Sequence, residues 1–364
     1  MTKRITFYPS KEAWKMHKTM TWFPWVVSVA LCCSLGCDSN VPLPDGKSQN
    51  VPEGRPVSLQ ANQSSTLQRG RNPVPARTRD TILIASFNIQ AFGPSKMEDR
   101  VVMSRIADII RKFDVVAIQE IRSADQRLLP RLIDYINADG MQYEYLLGPR
   151  LGRTTSMEQY AYVYDTTRIL ASPDASYTVN DGHPGPGTRQ EVGREGIPDL
   201  LHREPLVARF VVRASNPFRF TLINIHTDPD EVSYELNVLD DVYKQVCNYE
   251  FAQANEDDVI LLGDLNAAPE KFGELGAIPG LKPTIVGQPT NVRETALYDN
   301  ILLDPSRTSE FTGKAGVLHL KDAYSLSPTD VERISDHNPI WAEFRVNETG
   351  SNPQMANRNW NGSR

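Results

Sequence analysis

The chain of 364 residues is short of cysteine, with four, at positions 32, 33, 37 and 247. The first three stand in or just after an apolar run near the N-terminus, so only Cys247 falls in what reads as folded sequence. An intramolecular disulfide is excluded there, and stability has to come from the core itself, which a domain of about 265 residues can build. The chain also lacks an excess of positive charge: 39 Lys and Arg stand against 45 Asp and Glu, a formal net charge of −6. No global basic field grips polyanions, so any contact with nucleic acid would rest on a local metal ion and a few arginines. Disorder throughout is excluded by a hydrophobic content of 40%. The apolar run "WFPWVVSVALCC", residues 22–33, is too short to cross a bilayer as a mature helix.

That run follows Lys3, Arg4, Lys11, Lys15 and Lys18, the order of a signal peptide. It ends in "SLGCDSN", where Leu35 and Gly36 precede Cys37; this resembles the bacterial lipobox, with Ser34 where leucine is usual. The expectation is export to a bacterial cell envelope, with Cys37 acylated and the chain tethered to a membrane; simple cleavage and secretion is the alternative. A start at Met16 or Met20 would give a more ordinary leader. Residues 38–79, rich in Pro, Ser, Gln and Asn, read as a disordered tether, residues 80–346 as one folded domain and 347–364 as a disordered tail.

Within the domain, "TILIASFNI" and "DVVAIQE" read as buried strands with the helical pattern "MEDRVVMSRIADIIRKF" between them. A second helix, "SADQRLLPRLIDYINADG", is followed by strand-like "YEYLLG", "QYAYVYD", "REPLVARFVV" and "FRFTLINIHT", mostly without helices between them, which favours antiparallel pairing. "YELNVLDDVYKQVCNYEFAQ" is the longest helical pattern, and "DVILLGDLNA", "ALYDNILL" and "NPIWAEFRV" are the last strands. The order predicts an α/β sandwich of four layers, two stacked mixed sheets flanked by helices.

Polar residues collect at the strand ends: Asn88, Glu120, His226, Asp264 with Asn266, Asp299, and Asp336 with His337. If those ends share one face, carboxylates, amides and two histidines meet in a single cleft. Oxygen ligands such as Glu120, Asn88 and Asp336 suit a hard cation, Mg2+ or Mn2+, and a hard cation implies phosphate. Two histidines, each paired with an acid, could activate a water and protonate a leaving oxygen, which together describe a phosphoester hydrolase. Each residue also has an ordinary structural reading: Glu120 as an ion-pair partner of Arg122, Asn88 and Asn266 as turn residues, His226 as a satisfied loop histidine.

The segments "ILIASFNIQAFG", "AIQEIR", "LGRTTSMEQYAYVY", "LHREPLVARF", "INIHT", "LLGDLNA", "LYDN" and "ISDHNPI" resemble, in order, the motifs of the deoxyribonuclease I branch of the endonuclease/exonuclease/phosphatase superfamily. The resemblance runs from about residue 81 to 346 and implies a metal-dependent hydrolase of DNA. It implies that His226 pairs with Glu158 and His337 with Asp299, and that Glu120, Asn88 and Asp336 hold Mg2+. Asp264 and Asn266 would orient the phosphate and the attacking water, Arg203 would contact a phosphate, and Arg122 would enter the minor groove. Which histidine acts as base and which as acid stays open. Asp181, Asp199 and Glu204 stand where the family carries a structural calcium site, while "PTNVRETAL" departs from a second one. Further departures are Ser156 where an aromatic is usual, Gln90 where a basic residue is usual, and the absence of the family's disulfides. A phosphodiesterase or phosphatase acting on a lipid headgroup or small phosphoester is the second reading, and a monomer the default.

Overall fold

A computed structural model describes residues 6–9, 73–153, 157–172, 176–180 and 200–349, all within one unit. In chain order the strands are β1 (Thr6–Pro9), β2 (Thr81–Phe92), β3 (Val115–Ile121), β4 (Tyr143–Leu147), β5 (Gln159–Asp165), β6 (Ile169–Ala171) and β7 (Tyr177–Asn180), then β8 (Leu206–Val212), β9 (Arg219–His226), β10 (Val259–Asp264), β11 (Lys282–Pro283), β12 (Asp299–Leu303), β13 (Phe311–Val317) and β14 (Ile340–Arg345). The principal helices are α1 (Pro94–Glu98), α2 (Arg100–Ile110), α3 (Leu128–Asn137) and α4 (Val232–Ala254).

The strands form two mixed sheets, one ordered β1-β7-β8-β9-β10-β12-β11 with β6 beside β8, the other β13-β14-β2-β3-β5-β4. Alternation along a strand sends successive side chains to opposite faces, and here both faces are apolar. Ile82 and Ile84 of β2 point inward to meet Leu222, Ile260 and Ile301 between the sheets. Leu83, Ala85 and Phe87 point outward onto Val102, Ile106, Leu129 and Leu132 of α2 and α3. On the other side Ile223, Ile225 and Leu261 pack on Leu236, Leu239, Val242 and Val246 of α4. The result is the expected sandwich of four layers, held by three apolar clusters and no disulfide, Cys247 being buried against α4's sheet.

The continuous helical pattern at 97–113 is in fact two helices. Asp99 interrupts it: its backbone is extended and its carboxylate accepts from the amides of Val101 and Val102, capping α2. β13 is not legible in the sequence because half-buried Thr312 and exposed Gly313 and Lys314 break the apolar alternation. The helix Pro328–Ile334, capped by Ser327, was missed for its shortness.

The fold also begins before Asp80 and ends after Val346, so the tether and tail boundaries are corrected at both ends. Arg77, assigned to the tether, ion-pairs with Asp165 and, at 2.6 Å, with Asp114, and donates to Tyr143 Oη at 3.0 Å. Asp114 is fully buried and needs that charge. At the other end the backbone of Asn347 bridges to Pro217, and Thr349 donates its amide to Glu310. The backbone of Thr6–Pro9, counted with the leader, pairs with β7 at the sheet edge. Removing Arg77 as Ala is expected to lower the unfolding free energy by about 3 kcal/mol, because Arg168, 2.9 Å from Asp114, compensates only part of the buried charge. Urea denaturation of the full chain measures this; a loss within experimental error would show the contact to be dispensable.

Candidate active site

Sheet pairing decides which residues become neighbours. In one sheet β9 and β10 are parallel with Asp264 opposite His226, while β10 and β12 are antiparallel with Asp264 opposite Asp299. Three adjacent strands therefore set His226, Asp264 and Asp299 in one row. In the other sheet β2 and β3 are parallel, with Asn88 opposite Gln119 and Glu120 next in line. β5 and β14 run antiparallel to these, so Glu158 and His337, just before those strands, arrive at the same end. The sheets meet through Asn88 Nδ2, which donates to Asp264 Oδ2 at 2.9 Å and to Glu120 Oε1 at 3.1 Å.

Two imidazoles face one carboxylate. His226 Nδ1 is 3.0 Å from Glu158 Oε2, and His337 Nδ1 is 2.8 Å from Asp299 Oδ2. Glu158 is held ionised and can only accept, so His226 carries its proton on Nδ1 and presents Nε2. The Nε2 atoms of His226 and His337 each lie 3.6 Å from the same oxygen, Asp264 Oδ2. Burial works against protonating either ring, but the carboxylates outweigh it: Glu158 and Asp264 raise His226 above its ordinary value, and Asp299 and Asp264 raise His337 further. Against burial, the hydrogen bond and charge of His226, with Arg203 and Arg122, pull the Glu158 carboxyl down to about 2. Burial lifts the Asp299 carboxyl, whereas His337 and His226 hold Asp264 low despite its burial.

The backbone is shaped for this arrangement. Glu120 and Asn266 are left-handed, with φ of 61° and 48°, as is Ala91 at 47°. The β2–β3 and β3–β5 registers both shift beside Glu120, which turns its carboxylate from the core toward the cleft. Gly263 has no room for a side chain, since a Cβ there would stand 1.9 Å from the carbonyl oxygen of Ile225. This close approach lets β10 deliver Asp264 beside His226.

Asn88 Oδ1, Asp299 Oδ1 and Asp336 Oδ1 are buried oxygens without a hydrogen-bond partner. Unmatched acceptors of this kind suit a hard cation, and the set Glu120, Asn88 and Asp336 is oxygen-only, as Mg2+ and Mn2+ prefer. Asp264, Asp299 and His337 also bring ligand-type atoms within 4.8 Å of one another, but the His337 and Asp299 side chains are already bonded to each other.

The two arginines both have partners within the chain. Arg122 Nη2 bridges Glu120 Oε2 at 3.0 Å and Glu158 Oε1 at 2.9 Å, the ion pair of the ordinary reading. Arg203 is 4% exposed and donates Nε to the backbone oxygen of His226 at 3.2 Å. Asn266 spends its amide nitrogen on Thr227 O at 2.9 Å. Asp181, Asp199, Ser156 and Cys37 lie outside the described residues; Glu204 is buried.

Several supporting residues lie inside the motifs without a role read from them, and Lys96 and Thr290 lie outside them altogether. Tyr160 Oη accepts from the His226 amide at 2.9 Å, and Thr290 Oγ1 accepts from the Asp299 amide at 3.1 Å. Gln119 and Asn224 bridge the sheets beneath the site at 2.6 Å. Ser335 Oγ donates to Asn88 O at 2.7 Å and accepts from the His337 amide, tying "SDHN" to β2. Gln90 Nε2 donates to Asp336 Oδ2 at 2.9 Å, and Lys96 Nζ donates to the carbonyls of Gln90 and Ile334. Burial brings the Lys96 ammonium down to about 8 although Asp336 and Glu120 draw it up.

Residues 85–273 match the model of the Endonuclease/Exonuclease/phosphatase family. The chain is 29% identical to deoxyribonuclease gamma of Homo sapiens over 282 residues, covering 72% of this chain and 85% of that protein. It is 30% identical to deoxyribonuclease-1-like 1 of Homo sapiens, covering 74% and 86%. Among solved structures, an endonuclease/exonuclease/phosphatase family protein from Bacteroides thetaiotaomicron shares the fold at a TM-score of 0.51 and 17% identity, over 74% of this chain and 96% of that one. With its two histidine–acid pairs about Asp264 and these matches, the chain belongs to the Endonuclease/Exonuclease/phosphatase family as a deoxyribonuclease I-like member.

Proposed function

We propose that the protein is an exported endonuclease that hydrolyses DNA with the help of Mg2+ or Mn2+ held by Glu120, Asn88 and Asp336. As a deoxyribonuclease I-like member of its family it is a hydrolase of phosphodiester bonds; the polymer, the ion and the export are the proposal. The observation behind it is the pair of imidazole Nε2 atoms, each 3.6 Å from the same Asp264 oxygen, which supports two proton-transferring rings serving one reaction centre. When bound, a hard cation would neutralise charge gathering on the phosphoryl oxygens.

The chain's own residues do the proton work. One histidine takes the proton of the attacking water at Nε2 and the other gives a proton from Nε2 to the departing oxygen. Glu158 and Asp299 keep each Nδ1–H in place, so that only Nε2 changes state. Asp264 supports whichever ring is charged at a given moment. Arg203 Nε donates to the His226 carbonyl while Tyr160 Oη accepts from the His226 amide, so the backbone that carries this ring is fixed on both sides.

The relatives' names speak for DNA, and the leader at residues 1–37 speaks for export, with Cys37 as the site of acylation and the membrane as partner. The full chain should nick supercoiled plasmid in Mg2+ and lose at least about a hundredfold in rate with EDTA, restored by added Mg2+ or Mn2+. No nicking by folded, Mg2+-loaded protein, with hydrolysis of a lipid phosphodiester instead, would replace DNA by the second substrate class.

A further inference from the structure

At the far end of β10 from Asp264, about 20 Å away at the rise of a strand, five acidic side chains crowd together. One oxygen each from Glu256, Asp257 and Asp258 lie within 4.8 Å of one another, and so do oxygens from Asp258, Glu310 and Glu348. Glu256, Asp258 and Glu310 are 2%, 4% and 1% exposed, so water does little to screen them. The facing cations are few: Arg219 Nε stands 3.9 Å from Glu256 Oε2 on a half-exposed side chain, and Arg307 acts on Asp257. Some of the oxygens accept backbone amides: Asp258 N donates to Glu256, Arg219 N to Glu348 and Thr349 N to Glu310. Asp258, however, belongs to both groups, and its Oδ1 is a buried oxygen with no hydrogen-bond partner. Burial and the neighbouring acids push the Asp258 carboxyl well above its ordinary range when no ion is present, and a buried oxygen left bare among four other acidic groups asks for a cation.

We propose that Asp258, with Glu256, Asp257, Glu310 and Glu348, binds a divalent cation of the calcium class at this end of the sandwich, separate from the catalytic centre. Carboxylates alone, in a loose cluster of five side chains, suit the larger and less geometrically demanding Ca2+ over Mg2+. The consequence is structural. Glu256 to Asp258 lead into β10 of one sheet, whereas Glu310 precedes β13 and Glu348 follows β14 of the other. A bound ion ties the two sheets together where Phe218 and Phe344 stack across them, and clamps the C-terminal segment onto Asn216 and Pro217. In a domain without disulfides it takes over part of a cross-link's role.

The full chain, freed of metal and titrated with Ca2+ against a chromophoric chelator, should bind one Ca2+ more than Asp258→Asn or Glu348→Gln. Raising free Ca2+ to about 1 mM, the upper end for extracellular carboxylate sites, should raise the wild-type Tm by about 4 °C or more, and the variants by clearly less. Without Ca2+ Asp258→Asn should melt no lower than wild type, because burial and the neighbouring acids already push the Asp258 carboxyl toward the neutral form that the amide imitates. Equal stoichiometry and equal Ca2+-dependent shifts in wild type and variants would overturn the site. Glu348→Gln alters a half-exposed residue next to the C-terminal segment, so it decides the matter with the same two readouts if Asp258→Asn fails to fold. Its plasmid nicking in Mg2+ should match wild type, which keeps failure of this site distinct from failure of the nuclease reading.

Discussion

His226→Ala and His337→Ala should each lower kcat on plasmid DNA by about a thousandfold or more, with KM nearly unchanged. The loss follows from the geometry: each imidazole sets a nitrogen 3.6 Å from Asp264 Oδ2, and a positioned acid or base contributes about a hundred- to ten-thousandfold. The double variant should be little worse than either single one, because the two rings serve a single displacement and act as a unit. The pH profile carries a second sign. Both rings are raised above the ordinary histidine value, so the one that must be neutral to accept a proton becomes available only as pH rises through its elevated pKa. Activity should therefore climb above pH 6.5 and fall again once the other ring loses its proton. An alanine variant retaining wild-type kcat would remove that histidine from the mechanism.

Asp264→Asn should be comparably severe while leaving the fold intact, since the amide has the shape of the carboxylate. Asp264 is 1% exposed and its Oδ2 faces both Nε2 atoms and accepts from Asn88. Neutralising it removes the charge shared by both imidazoles and leaves His226 with Glu158, and His337 with Asp299 and Asp336, to raise them. We expect kcat to drop about a thousandfold and the residual activity to reach its maximum at lower pH than in wild type. Histidine proton resonances followed through a pH titration check this independently of turnover: both should titrate lower in the variant. Unchanged histidine titration would mean that Asp264 acts on the substrate alone.

The ordinary reading and the functional one are both realised in several residues, and this bears on how such sites are read. Glu120 does pair with Arg122, at 3.0 Å, as a structural carboxylate would. It is also left-handed at a register shift and lies against Asn88, whose Oδ1 is unmatched, which a purely structural ion pair does not require. Arg203 is first a buried brace for the His226 peptide; any contact it makes with a phosphate comes in addition. Within the chain both arginines brace the acids and the His226 backbone.

Local pattern alone determined a good deal. Apolar runs bounded by turn residues marked β2, β3, β9, β10 and β14, and their terminal polar residues marked the site, because a polar group at the end of a buried strand has few places to go but a cleft. The His226–Glu158 and His337–Asp299 pairs were implied by family resemblance, the partners being 68 and 38 residues apart in the chain. Only the tertiary structure decided the rest. That Asp264 stands between both histidines depends on β9 and β10 being parallel in a register that a slip of one residue would turn inside out. Arg77 and Thr349 read as tether and tail since neither stands in a periodic apolar run; what holds them is Asp114 and Glu310, 37 and 39 residues away. The five-acid cluster was invisible for the same reason. Its members come from three segments that are unremarkable one by one, and only the stacking of two sheets brings their charges together and buries Asp258 among them.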